Sequence, residues 1–128
     1  VGLPELVDMT PDQARSAYRR HLKEPIAIRR FSGKAGPDRT ATDTPCRGHV
    51  RAARPGTEVP AQLIGDVMEF YFAAIVLVED LETAGFTLPL TTADKLVFRG
   101  REMAISFPDD ATRSVDGELI AYNVRVKA

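Results

Sequence analysis

The run from Asp94 to Phe107, DKLVFRGREMAISF, restricts the fold more than any other part of the chain. Two apolar segments flank Arg99-Gly100, and glycine reaches the positive φ that a two-residue hairpin turn needs. With the turn at that place, Phe98 faces Arg101, Leu96 faces Met103 and Asp94 faces Ile105. Leu96, Phe98, Met103, Ile105 and Phe107 then share one sheet face, and Lys95, Val97, Glu102, Ala104 and Ser106 share the other. A slip of one residue would mix the two sets, so the register is specified locally. The stretch predicts an antiparallel β core.

The rest of the chain adds short elements to that hairpin. Thr10 can cap a helix, Pro11 suits its first position, and Gln13 completes a capping box. Ala14, Ala17, Tyr18, His21 and Leu22 recur at helical spacing on one side, and Pro25 ends the run, which predicts a helix over 11–23. Residues 25–31 read as a strand with Ile26 and Ile28 on one face. Residues 46–54 read as its partner, with Cys46, Gly48, Val50 and Ala52 on one face. Between them, 32–45 is polar and lacks apolar periodicity, so a long mobile loop is expected there. Arg54 to Pro60 reads as a second loop, and Ala61 to Asp66 as one helical turn.

Phe70 to Val78 is apolar almost throughout and predicts a central strand buried on both sides. Glu79 to Gly85 predicts a short helical turn with carboxylates at its start and glycine at its stop. Asp116-Gly117 signals another hairpin turn. Leu119 to Lys127 alternates, with Ile120, Tyr122, Val124 and Val126 inward and Ala121, Asn123, Arg125 and Lys127 outward. The fold class is therefore mainly β (α+β). A small antiparallel β-barrel or sandwich is expected, with an N-terminal helix and one or two helical turns. At 128 residues it reads as one domain over 1–128, with 1–9 as a flexible tail. The structural core is assigned to Leu96, Phe98, Met103, Ile105, Ile120 and Tyr122.

Recognisable catalytic patterns are missing. There is no phosphate-binding G-x-x-x-x-G-K-[ST], no G-x-G-x-x-G after a strand and no G-x-S-x-G. Cys46 and His49 outline half a metal site, but structural zinc takes four ligands and the one other histidine is His21 on the helix. Three residues apart on a strand, Cys46 and His49 point to opposite faces, which argues against a nucleophile–base pair. Glu79, Asp80 and Glu82 read as a helix start, and Asp109 and Asp110 as a turn. No catalytic residue, metal or cofactor is expected.

A single cysteine excludes an intrachain disulfide and suggests a reducing compartment. Val1 to Met9, broken by Pro4, Glu5 and Asp8, does not read as a secretory leader. The apolar run at 70–78 is too short to span a bilayer as a helix, and no membrane partner is expected. Net charge is −1, yet it is split. Residues 1–55 carry 11 Lys and Arg against 6 Asp and Glu, and residues 56–128 carry 6 against 12. That asymmetry can steer association with an acidic partner or bring copies together, basic side to acidic side. With no Trp, and with aromatics not interleaved among the basic residues, a base-stacking platform is not expected.

Several segments carry a family resemblance: MTPDQ and EPIAIRRF between Met9 and Phe31, PAQLIG at 60–65, IVLVEDLETAGFTLPL at 75–90, DKLVFRGREMAI at 94–105 and DDATRSVDGELIAY at 109–122. Together they resemble the small head–tail joining proteins of tailed bacteriophages and prophages. The stretch DVMEFYF at 66–72 is more apolar than the family at that place. The resemblance implies a small β-barrel with helical additions and a non-enzymatic, head-completion or stopper role. Such a protein forms a homo-oligomeric ring below the portal, closes the filled capsid and offers a docking surface to the tail. The partners implied are further copies of the chain, a portal or adaptor protein, tail proteins and, transiently, packaged DNA. The implied location is the virion head–tail interface, and the host bacterial cytoplasm during assembly. An adaptor or tail-terminator ring protein is the neighbouring alternative, and a nucleic-acid-binding small barrel is the alternative of a different class. Arg29, Arg30, Lys34, Arg39, Arg47 and Arg51 are the candidates for inter-subunit or DNA-channel contact.

Overall fold

A computed structural model describes residues 9–33, 39–52 and 71–127. Lys34, the expected tail at 1–8, the loop at 54–60 and the turn at 61–66 lie outside the described residues. In chain order the elements are α1 (Pro11–His21), β1 (Glu24–Ser32), β2 (Thr40–Ala52), β3 (Tyr71–Leu77), α2 (Val78–Thr83), β4 (Lys95–Phe98), β5 (Arg101–Asp109), β6 (Ser114–Val115), β7 (Glu118–Leu119) and β8 (Ala121–Lys127). Six strands close into an antiparallel barrel in the order β1-β2-β3-β8-β5-β4, while β6 and β7 form a separate two-stranded ribbon. Because β4 pairs with β1, the sheet closes on itself, and each of the six strands has a neighbour on both sides over part of its length.

The β4–β5 hairpin forms in the predicted register, with Leu96 opposite Met103 and Phe98 opposite Arg101. Arg99 and Gly100 both adopt positive φ, 52° and 75°, as a turn matching the strand twist requires. The same chemistry recurs at Asp116-Gly117, where φ is 50° and 79° and the turn joins β6 to β7. Leu96, Met103 and Ile105 are buried, together with Ile26, Ile28, Cys46, Ala74, Val76, Tyr122, Val124 and Val126, in one barrel core. Phe98 packs against that core at its edge and is only partly buried.

Phe107 does not join them. A register shift between Ile105 and Phe107 places an extra residue, Ser106, in β5. One extra residue reverses the alternation, and Phe107 emerges on the outer face, 55 % exposed.

The helix follows its cap signals. The Thr10 side chain accepts from the Gln13 amide, and the Gln13 side chain accepts from the Thr10 amide. The helix stops at His21, two residues earlier than predicted, because Leu22 is already extended (φ −89°, ψ 98°) as the chain turns into β1. Ala14, Tyr18 and Leu22 seal a second core on the outside of the barrel, with Leu77, Val115, Ile120 and Ala121. His21, expected on the apolar side, is exposed. Met9, expected in the flexible tail, packs against this second core.

That helix explains two further differences. Ile120 and Ala121 are both buried, although alternation assigned them to opposite faces. Ile120 precedes β8 and lies in the outer core rather than in the barrel interior, where its carbonyl accepts from the Val78 amide. β3 is covered on both faces only toward Leu77, where α1 overlies it, and Ala73 and Ile75 farther back are half-buried.

Within the expected loop at 32–45, Ser32 and residues 40–45 are strand, and 34–38 lie outside the described residues. β1 continues to Ser32 and β2 begins at Thr40, and the pairing runs from Glu24 opposite Gly48 to Ser32 opposite Thr40. Apart from buried Thr44, residues 40–45 are exposed, so the backbone ladder holds this end of the hairpin without an apolar face to announce it. One glycine is required by packing. A Cβ on Gly48 would fall 2.4 Å from both Ile26 Cδ1 and the Ile75 carbonyl oxygen.

Candidate functional site

The basic residues singled out in the sequence separate into two groups. Arg29, Arg30 and Arg47 are bound to carboxylates. Arg29 forks onto Asp43 (Nε–Oδ1 2.8 Å, Nη2–Oδ2 2.9 Å) and reaches Glu102 at 3.1 Å. Its hydrogen bonds hold Asp43 below the usual carboxylate range. Arg47 donates from Nε and Nη2 to Asp80, which also accepts from the Arg47 amide at 2.8 Å. Arg39 lies over the Phe31 ring, 3.6 Å from its centroid.

Arg30 is the most deeply engaged. It forks onto Asp94 at 2.8 and 2.9 Å, donates to the carbonyls of Thr87 and Pro89, and stacks 4.0 Å from the Phe86 centroid. Burial alone would push the Asp94 carboxyl up. The Arg30 hydrogen bonds and those from the Thr91 amide and hydroxyl outweigh it, and Asp94 stays below the ordinary range. With Arg15–Glu118, Arg19–Glu79, Arg29–Glu102 and Arg47–Asp80, this pair joins the basic first half of the chain to its acidic second half. The charge split therefore folds onto itself, and these five pairs are not left over for a neighbouring copy.

Arg51 belongs to a different environment. Cross-strand pairing sets side chains in rows on the outer face of β2, β3, β8 and β5. Arg51 is opposite Ala73, Ala73 opposite Arg125, and Arg125 opposite Phe107. The next row runs His49, Ile75, Asn123, Asp109. Adjacent strands are about 4.8 Å apart, so each row spans about 14 Å. Small Ala73 lies between two arginines, and the result is a shallow cavity of about 170 Å³. Arg113 closes one side, its Nε donating to Asn123 Oδ1 and its Nη1 to Tyr18 Oη at 2.8 Å.

The hydrogen-bond partners of Arg113 are neutral, while its charge also acts on the Asp109 carboxylate. Among the described residues neither it nor Arg125 lies within salt-bridge distance of a carboxylate. Asp109 is occupied locally. It accepts from the Thr112 hydroxyl and from the Ala111 and Thr112 amides, and these bonds, the Thr112 side chain first, hold it ionised. His49 Nδ1 is 2.9 Å from Glu24 Oε1.

No protein-family model matches the chain, and no curated protein is similar to it.

The sequence brings only Arg51 of this face into view as a candidate. Phe107, Arg113, Asn123 and Arg125 are missed. Aromatics that do not interleave with arginines along the chain do so across the strands, because the bulge at Ser106 turns Phe107 outward beside Arg125. The outward positions of Asn123 and Arg125 were readable from alternation in β8, but their neighbours across the sheet were not. Cys46, by contrast, lies inside the barrel, where burial first and Asp80 second push its thiol up to about 12, while His49 is outside. The two stand on opposite faces of β2. Among the described residues no group of three or more His, Cys, Asp or Glu side chains is placed to hold a metal ion. No described helix is long and apolar enough to cross a membrane.

Proposed function

We propose that the chain is a non-enzymatic connector subunit of a tailed phage or prophage, of the head-completion or stopper type. In this reading it assembles as a ring between portal and tail, closes the filled head and sits at the neck of the virion. The observation that supports the reading is the closed six-stranded barrel with α1 docked outside it. That is the architecture the sequence resemblance implies, and a barrel filled by its own side chains leaves function to its outer faces and hairpin tips.

A ring needs two different patches on each subunit that fit one another head to tail. With so much of the charge split satisfied within the subunit, the ring contacts are assigned to other surfaces. One is the barrel end, where Phe72, Phe98 and Met103 line a cavity with Arg99 and Arg101. The other is the end of the β1–β2 ladder, where Phe31 lies opposite Ala41 and Ser32 opposite Thr40. Portal or adaptor and tail proteins are the partners on either side of the ring, with packaged DNA crossing its channel.

Native mass spectrometry of the purified chain, alone and mixed with portal and tail proteins from the same genome, tests this. A complex containing many copies of the chain is expected with at least one of them. A chain that stays monomeric with all of them refutes the proposal.

A further inference from the structure

We propose that two copies of the chain pair through the open edge of β2, antiparallel, with Thr42 of one copy opposite Thr42 of the other. β1 pairs with β2 from Thr40 to Gly48, whereas β3 pairs with it only from Gly48 to Ala52. Before Gly48, β2 therefore has a strand on one side only. Two bonds show which backbone groups face the open side. The Val50 amide donates to Glu24 of β1, and the Arg47 amide donates the other way, to Asp80 of α2. Amides alternate along a strand, so Ala41 and Asp43 direct both N–H and C=O to the open side, and Pro45 its C=O alone. Among the described residues none of these groups has a partner. Thr40, Ala41, Thr42, Asp43 and Pro45 are all exposed.

An open row of amides is a template for another strand, and the pattern of donors and side chains selects what pairs with it. A second copy fits that pattern. With Thr42 on the twofold axis, the Ala41 amide donates to the Asp43 carbonyl of the other copy and the Asp43 amide to its Ala41 carbonyl, so the open amides of both copies are used. Thr42 meets Thr42, a favourable cross-strand pair, and Arg39 comes diagonally opposite the other copy's Asp43. Neighbouring registers are worse. An axis at Asp43 sets two carboxylates directly opposite each other, and an axis at Thr44 sets Asp43 against Pro45, which has no amide to give. Pro45 also stops the edge from taking a longer partner. A twofold pair closes on itself and does not propagate round a ring, so it is a state of the chain apart from portal and tail, and it stands or falls separately from the connector reading.

Sedimentation velocity of the purified chain alone, from about 10 µM to about 1 mM, tests this. So short an interface predicts a reversible dimer with a dissociation constant on the order of 100 µM. Ala41→Pro removes an amide that no bond within the chain uses, so it is expected to melt like the parent and to weaken dimerisation about tenfold or more. Thr42→Cys, treated with oxidised glutathione, is expected to give a disulfide-linked dimer, because Cα atoms directly opposite in a non-hydrogen-bonded pair are about 4.5 Å apart. Ala41→Cys is not, because in this register the two Ala41 positions are diagonal, about 7–8 Å apart. Cys46 is buried and stays out of the reaction. A chain that is monomeric throughout overturns the proposal, as does association that grows beyond a dimer or that a folded Ala41→Pro leaves intact. Crosslinking as ready through Ala41→Cys as through Thr42→Cys overturns it too, and if Ala41→Pro melts early that cysteine comparison alone decides.

Discussion

Replacing Asp94 with Asn tests the polar node that ties β1 to the loop before β4. The change keeps the shape and one carbonyl acceptor but removes the charge that Arg30 grips with two nitrogens. The Asp94 side chain is 3 % exposed and that of Arg30 is 31 % exposed. Removing one partner of a fully buried pair costs about 3–5 kcal/mol, because the other charge is stranded. Arg30 is not fully stranded, since it meets water and still donates to the carbonyls of Thr87 and Pro89, which lowers the expected cost to about 2–3 kcal/mol. For a chain of this size that is a melting-point loss of about 6–15 °C.

The pH dependence makes the test specific. Folding lowers the Asp94 pKa, so its contribution is complete above the unfolded value of about 3.9 and disappears as pH falls through the lower, folded value. Asn does not titrate. The stability gap between parent and Asp94→Asn, measured by urea unfolding, is therefore expected to be full at neutral pH and to close in acid. Asp43 and Asp109 also titrate in that range, but they are present in both proteins and cancel in the difference. A gap below about 0.5 kcal/mol at neutral pH, or one that stays constant into acid, would show that the Arg30–Asp94 node does not stabilise the fold in this way.

Three other outcomes are expected. Gly48→Ala overpacks the barrel between Ile26 and the Ile75 backbone, and calorimetry should record a loss of about 1–3 kcal/mol. Leu96→Asp should abolish the cooperative melt by placing a charge in the sealed core, whereas Phe107→Ala should stay within about 0.5 kcal/mol of the parent, because the bulge has already turned that ring outward. Cys46 should react with a thiol reagent only on unfolding, since it is buried and its thiol is pushed up to about 12; rapid labelling of the folded chain at neutral pH would contradict its place in the barrel.

How much of this was legible depends on where the information is stored. The β4–β5 register is local: a turn dipeptide and two short alternating runs determine it, and the pairing of Leu96 with Met103 follows. The closed barrel, as one of two expected architectures, follows from the number and spacing of such runs. Ser106 gives no local sign of a bulge, because the extra residue is defined by its partner β8 and not by its neighbours. Residues 40–45 hide for the opposite reason. They extend beyond the core, so the ladder with β1 stabilises them without leaving apolar periodicity. The Arg51, Arg125 and Phe107 row joins positions more than fifty residues apart across four strands, and no window of sequence contains it. The uneven charge of the two halves was legible as a fact but not in its role, since only folding reveals that Arg29, Arg30 and Arg47 meet Glu102, Asp94 and Asp80.

The connector reading, which takes the gene for this chain to belong to a phage or prophage, is tested most directly by interrupting that gene in its own genome and counting particles by electron microscopy. DNA-filled heads and separate tails that do not join are expected, with tailed particles restored when the chain is supplied in trans. Tailed particles at the parental yield without the chain would contradict a connector role.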